Sequence, residues 1–164
     1  LEGREILLDV LNPGDALGEH TLFSDETYGA DGIAVDETGV CRISAASVSA
    51  LLPNSPELAR GLLRSMGRKL SDARQMSEIL SRPQAAARLA GFLLYRAHRT
   101  GDRRVRLSQE DIAAFLNLRR ETVSRKLASL GEAGAVRMAG YRDVEVRDAA
   151  RLLEIFTGQG KPAV

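Results

Sequence analysis

The chain has 164 residues, 44% hydrophobic and 27% charged, which is typical of a globular protein with one or two domains. Arg88 and Arg96 interrupt the most apolar stretch, so the sequence predicts no membrane helix. The single cysteine, Cys41, excludes an intramolecular disulfide and a multi-cysteine metal site, and we expect a cytoplasmic protein.

The net charge of +1 hides an uneven distribution. Residues 1–82 carry 8 Lys/Arg and 13 Asp/Glu, a net −5, whereas residues 83–164 carry 15 and 9, a net +6. A basic half indicates contact with a polyanion, although a solvated basic surface gives the same count. Charge alone leaves both interpretations open.

Residues 1–52 are predicted to form short antiparallel strands joined by turns. Apolar and polar residues alternate around Ile6–Leu11, Asn12–Asp15 is a strong turn signal, and further strands are expected at Ile33–Val35 and Gly39–Ile43. Cys41 lies inside the last of these, which favours a buried, inert thiol over a redox sensor.

A long helix is predicted to follow, with Ser55 as its cap and Pro56 at its first position. Apolar residues recur along it at alternating spacings of three and four, as in a coiled coil. We therefore expect a dimer interface, although the same stripe would suit a helix packed on its own domain. The candidate interface residues are Leu62, Met66, Leu70, Ala73 and Met76.

Pro83 is predicted to end this helix, because proline lacks a backbone donor and restricts the residue before it. A domain boundary is placed there. The next helix is expected from Gln84 to about His98, and Thr100–Asp102 closes it.

Two short helices joined by a tight turn are predicted after residue 107. Ser108 and Asp111 have the spacing of a capping box, and Asn117 tolerates a left-handed turn. The second helix is expected over roughly 120–130, with Val123 and Leu127 inward. This pattern is a helix-turn-helix.

The outward face of that second helix is rich in arginine. Arginine donates two hydrogen bonds to guanine and glutamate accepts one from cytosine, so Glu121 and Arg125, four residues apart, are candidates for reading bases. They could also pair with each other, and a solvated surface helix would show the same pair. The predicted DNA-binding residues, including two arginines of a hairpin wing over 134–146, are Arg119, Arg120, Glu121, Thr122, Ser124, Arg125, Lys126, Arg137 and Arg142.

The segment Leu118–Arg125 resembles the recognition helix of the Crp/Fnr family of bacterial regulators. Leu11–Glu19 resembles that family's β-roll motif, and Ser65–Leu70 lies where its dimer helix runs. The resemblance implies base contacts by Arg120, Glu121 and Arg125, with Ser124 as in the Fnr-like branch. Arg119 replaces the family's usual small polar cap. The resemblance to this family also implies contact with RNA polymerase and several further strands before Leu1.

The expected fold class is α+β. It comprises a partial antiparallel β-roll sensor domain (1–52), a long dimerisation helix (53–82) and a C-terminal winged helix-turn-helix (83–164). By the same resemblance, a cyclic nucleotide would need Gly18-Glu19 and a later arginine. Residues 27–34 offer Asp31 and no basic side chain, which is unfavourable for a phosphate.

The predicted function is a sequence-specific, homodimeric transcription regulator, with activation as the expected mode. It binds an inverted-repeat operator in double-stranded DNA and does not depend on cyclic AMP. We expect no cofactor, no metal and no membrane partner, since an iron–sulfur sensor needs several cysteines and a lone His20 is more often structural. The alternative is a small-molecule or redox-sensing module of the same family whose DNA binding needs an effector. An enzyme is not expected, because no catalytic motif is found.

Overall fold

The computed structural model describes residues 7–24, 26–140 and 142–158. By contacts the chain divides into two compact units: one spans Pro13–Asp72, and the other joins the residues up to Asn12 with those from Ala73 onward. The division falls inside the long helix. The three-part division expected from the sequence stays a prediction.

The unit Pro13–Asp72 is mainly helical where it is regular. A short 3-10 helix, Glu19–Leu22, precedes helix α1 (Ala45–Leu51), and a second 3-10 helix, Leu52–Asn54, leads into α2 (Pro56–Ser81). The Ser55 side chain accepts a hydrogen bond from the Leu58 amide at 3.4 Å, so the predicted cap of α2 is confirmed.

The strands predicted in the first 52 residues are not formed in the described part of the chain. Residues 7–12, 33–35 and 39–43 contain no strand, and Ile6 lies outside the described residues. Alternation of side chains creates a strand only where a neighbouring strand completes the hydrogen-bond ladder. Among the described residues the sheet lies instead in the C-terminal half.

Cys41 is exposed, so the expectation of a buried thiol was wrong. Its neighbours Val40 and Ile43 are 85% and 65% exposed, and no sheet covers this segment within the described residues. An apolar sequence pattern buries a thiol only when another element packs on it.

The C-terminal half contains helices α3 (Ala85–Thr100), α4 (Gln109–Leu116), α5 (Arg120–Glu132) and α6 (Ala149–Thr157). Strands β1 (Arg104–Val105), β2 (Val136–Gly140) and β3 (Asp143–Val146) form an antiparallel sheet in the order β1-β3-β2. The predicted breaks are confirmed, since α2 ends at Ser81 and α3 is closed by Gly101 with φ 66°.

Helix α3 is the centre of the core. Its Leu89, Phe92 and Leu93 are fully buried, and the Phe92 ring lies 5.0 Å from that of Phe115 on α4. The other large, fully buried side chains come from the other helices and the sheet: Ile112, Leu116, Val123, Leu127, Val144 and Leu152. This core joins α4, α5 and the hairpin, because each of them contributes buried side chains to it.

Candidate nucleic-acid interface

Helix α4 begins with the capping box that the sequence predicts. The Ser108 hydroxyl accepts a hydrogen bond from the Asp111 amide at 3.0 Å, and the Ser108 amide donates to Asp111 Oδ2 at 3.1 Å. The helix ends at Asn117, which has φ 52° and ψ 45°. Asparagine tolerates this left-handed geometry, so the tight turn into the next helix forms as expected.

Helix α5 buries one face and exposes the other. Val123, Leu127 and Leu130, at spacings of four and three, are buried in the core. Thr122 is half-buried, and the rest of the predicted set on this helix is exposed: Arg119, Arg120, Glu121, Ser124, Arg125 and Lys126. Arg119 is the N-cap and makes no capping hydrogen bond with its side chain, as its departure from the usual small polar residue predicts.

The exposed arginines of this surface differ in their partners. Arg120 Nε lies 2.7 Å from Glu110 Oε1, and Arg142 Nη2 lies 3.5 Å from Asp111 Oδ2. In the described part of the chain no ion pair joins Glu121 to Arg125, so the pairing considered from their spacing is not formed. An exposed ion pair gains little free energy over the hydration of its two side chains, so spacing alone does not ensure that the pair forms.

The predicted hairpin wing is formed by β2 and β3, and Tyr141, which separates them in the sequence together with Arg142, lies outside the described residues. Arg137 faces Glu145 across the ladder, and its Nε donates to Glu145 Oε2 at 2.9 Å. Arg147 Nη1 reaches the other oxygen at 2.9 Å. Hydrogen bonds from Arg137 and then Arg147 hold the pKa of the Glu145 carboxyl below its usual value.

Strand β1 adds basic residues that the sequence analysis did not assign. Arg103, Arg104 and Arg106 are exposed, and β1 pairs with β3 of the wing. Arg104 Nη1 lies 4.0 Å from Asp143 at the start of β3. The sequence shows three arginines within four residues, which is a sign of a basic surface. The strand itself could not be predicted, because two residues are too few to show an alternating pattern.

Comparison with known proteins shows to which family the chain belongs. Residues 87–155 match the Crp-like helix-turn-helix domain, and residues 1–55 match the cyclic nucleotide-binding domain. The chain is 34% identical to the cyclic AMP receptor protein of Thermus thermophilus, over 96% of this chain and 73% of that protein. The chain belongs to the Crp/Fnr family of transcription regulators.

Other members of the family show the same relationship over a smaller share of their length. The nitrogen fixation regulation protein FixK of Azorhizobium caulinodans is 33% identical over 92% of this chain and 63% of that protein. The structure of FixK2 from Bradyrhizobium japonicum superposes with a TM-score of 0.61 at 29% identity. That superposition covers 69% of this chain and 59% of FixK2. The predicted family and fold class are confirmed.

The glutamate that resembles the family's cyclic-nucleotide motif already has partners. Glu19 is only 5% exposed, and its two carboxylate oxygens lie 2.8 Å from Lys69 Nζ and 3.2 Å from Ser65 Oγ of α2. Burial alone would raise the pKa of Glu19. The hydrogen bond from Lys69, a backbone bond, the charge of Lys69 and the bond from Ser65 outweigh it, so the pKa lies below its usual value.

The neighbouring segment of this Crp/Fnr chain offers no positive charge. Residues 27–34 contain no Lys or Arg, and Asp31 is exposed there. His20 packs near Tyr28, with ring centroids 5.7 Å apart. A phosphate at this segment would therefore meet a carboxylate and no counter-charge.

Helix α2 carries an exposed apolar stripe. Leu63 and Leu70, seven residues apart, are 69% and 56% exposed, and Leu80 is 39% exposed. Of the predicted interface residues, Ala73 is also exposed, whereas Leu62 and Met66 are half-buried. Met76 packs partly against the core of the C-terminal half.

Among the described residues, no helix is both long and apolar enough to cross a membrane.

Proposed function

We propose that this chain reads DNA sequence as a homodimeric transcription regulator of the Crp/Fnr family, acting in the cytoplasm, and is not an enzyme. The observation that carries the proposal is the exposed face of α5, which a buried apolar face holds in place. Arg120, Glu121 and Arg125 lie on that face. Their side chains match the donor and acceptor patterns of guanine and cytosine in the major groove.

The wing and β1 would supply the contacts that do not depend on sequence. Arg137, Arg142 and Arg104 are exposed around the sheet, and arginines beside a recognition helix bind phosphates and fix its register. Such contacts predict strong salt dependence.

Helix α2 supports the proposal of a homodimer that binds an inverted-repeat operator. An exposed heptad stripe with Leu63 and Leu70 is suited to pairing with a second copy, and a two-fold dimer presents two recognition helices to two half-sites. Contact with RNA polymerase is part of this proposal and is supported by the family membership alone.

We also propose that DNA binding does not depend on cyclic AMP, although one relative is named a cyclic AMP receptor protein. The support is electrostatic: Glu19 is bound to Lys69 and Ser65, and residues 27–34 provide no counter-charge for a phosphate. The match of residues 1–55 to the cyclic nucleotide-binding domain favours the alternative, in which an effector controls DNA binding.

Selection of bound DNA from a random pool tests the main proposal. We expect an enriched inverted repeat with half-sites centred about one helical turn apart. Binding to the selected operator should weaken steeply with added salt yet stay well above binding to random DNA. Equal affinity for selected and random sequences would contradict the proposal.

A titration with cyclic AMP separates the two regulatory alternatives. We expect no micromolar binding by calorimetry and a change in operator affinity below about threefold, because an effector shifts affinity only through its differential binding to two states. Micromolar binding coupled to tighter operator binding would establish the effector-dependent alternative instead.

A further inference from the structure

One arginine of the proposed DNA-binding surface forms an ion pair with a carboxylate from the preceding helix. Glu110 lies in the first turn of α4 and Arg120 is the first residue of α5. Glu110 Oε1 and Arg120 Nε are 2.7 Å apart, and the two side chains are 47% and 53% exposed. An exposed pair contributes little to folding stability, so an effect of Glu110→Gln on DNA binding would not arise from a loss of stability.

The position of this contact on the guanidinium is informative. The Glu110 carboxylate forms its ion pair at Nε, and the other N–H donors of a guanidinium lie on its two terminal nitrogens, where a further acceptor can bind. Guanine is read by two parallel hydrogen bonds to O6 and N7. A carboxylate beside Nε restricts the positions of the guanidinium and leaves its terminal nitrogens outside the ion pair.

Pre-organisation of this kind sharpens base discrimination. A flexible arginine can turn from a wrong base to a nearby phosphate, whereas a held guanidinium loses its hydrogen bonds when the base changes. The Glu110 carboxylate also repels phosphates, which weakens binding where no correct base compensates. Both effects favour specificity over raw affinity.

We propose that Glu110 is a positioning residue that holds Arg120 for recognition of one guanine. The inference rests on the proposed DNA-reading function and adds a residue from α4 to the specificity of the recognition helix. In the described part of the chain, no carboxylate pairs in this way with Arg119 or Arg125, the neighbouring arginines of the surface.

The test compares Glu110→Gln with the wild-type chain on the selected operator. Arg120→Ala first identifies the base step that Arg120 reads. At that step Glu110→Gln should reduce discrimination against the other bases by about three- to tenfold, part of what a bidentate contact supplies. In the Arg120→Ala background the same substitution should cause no further loss, because the residue that it positions is gone.

Two further variants separate geometry from charge. Glu132→Gln removes the same charge at the other end of α5, about 18 Å from Arg120 along the helix, and should leave discrimination unchanged. Glu110→Asp keeps the charge but shortens the side chain, and should reduce discrimination between bases at the same base step. Circular dichroism confirms that each variant is folded.

The outcomes are distinguishable. If Glu110→Gln behaves like Glu132→Gln, or strengthens binding to operator and random DNA equally, the positioning role is overturned and the proposed function stands. If the wild-type chain selects no operator, both are overturned.

Discussion

Arg125 is the simplest of the proposed base-reading residues to test. It is exposed on α5, and no ion pair occupies it within the described residues. Arg125→Ala should cost roughly 1–3 kcal/mol of binding free energy at a guanine-containing step and relax the preference there. Fluorescence anisotropy with the selected operator and its single-base variants measures this.

Two arginine variants are the controls for that result. Arg142→Ala in the wing should weaken binding to every sequence about equally if it contacts a phosphate. Arg74→Ala, an exposed arginine of α2, should change neither affinity nor preference. An equal loss on operator and random DNA for Arg125→Ala would remove its role in base reading.

Lys69 stabilises a buried carboxylate, and this gives a prediction about pH. Because the pKa of Glu19 is lowered in the folded state, its ionisation stabilises the fold above about pH 4.3 and this contribution is lost as the pH falls through the folded pKa. Lys69→Met removes the hydrogen bond and charge but leaves the burial. The pKa of Glu19 should then rise, and unfolding should require about 1–3 kcal/mol less at pH 7.

Denaturation between about pH 2.5 and pH 7, with an NMR titration of the Glu19 carboxyl, measures both effects. Arg68→Met changes an exposed neighbour on the same helix and should alter neither. The same pH dependence in both variants would show that Lys69 does not hold the Glu19 charge.

At the scale of elements, the packing of α3 against α6 depends on a glycine. A Cβ at Gly91 would lie 2.6 and 2.7 Å from ring atoms of Phe156 and 3.1 Å from Ile79 Cγ1. Alanine is favoured over glycine within helices by about 1 kcal/mol, yet this overlap should make Gly91→Ala destabilising by about 1–3 kcal/mol. Chemical denaturation measures the difference.

Gly131 on α5 provides a matched control. A Cβ there would meet only the Val136 carbonyl oxygen, at 3.9 Å, so Gly131→Ala should be neutral or stabilising. Adding Phe156→Leu to Gly91→Ala should restore part of the lost stability. If both alanine variants gain stability equally, the close approach of α3 and α6 is not what requires the glycine.

At the scale of the whole molecule, the exposed stripe of α2 predicts assembly. Leu63→Glu with Leu70→Glu places charges on two exposed positions, so the fold should persist while dimers are lost. Light scattering should show monomers, and binding to the inverted repeat should lose its cooperativity.

The control for assembly changes two apolar residues away from α2. Val40 and Leu153 are 85% and 53% exposed, so Val40→Glu with Leu153→Glu introduces the same charge. This variant should remain dimeric. Dimers that persist in the Leu63/Leu70 variant would place the interface on another surface.

The sequence by itself determined the helix-turn-helix and the limits of the long helix. The capping box of Ser108 and Asp111, the left-handed Asn117 and the break at Pro83 depend on backbone neighbours within a few residues. Such interactions are specified by local spacing, because they form whatever the rest of the chain does. The buried face of α5 could be predicted for the same reason, because its apolar residues recur at helical spacing.

Only the tertiary structure decided which segments find partners. The expected strands near Ile33 and Cys41 lack a neighbouring strand in the described residues, while the unpredicted β1 gains one from β3. Glu19 meets Lys69 fifty residues away, and Glu110 meets Arg120 ten residues away across a turn. Ladders and ion pairs of this kind depend on which elements the core brings together, and no local pattern encodes that choice.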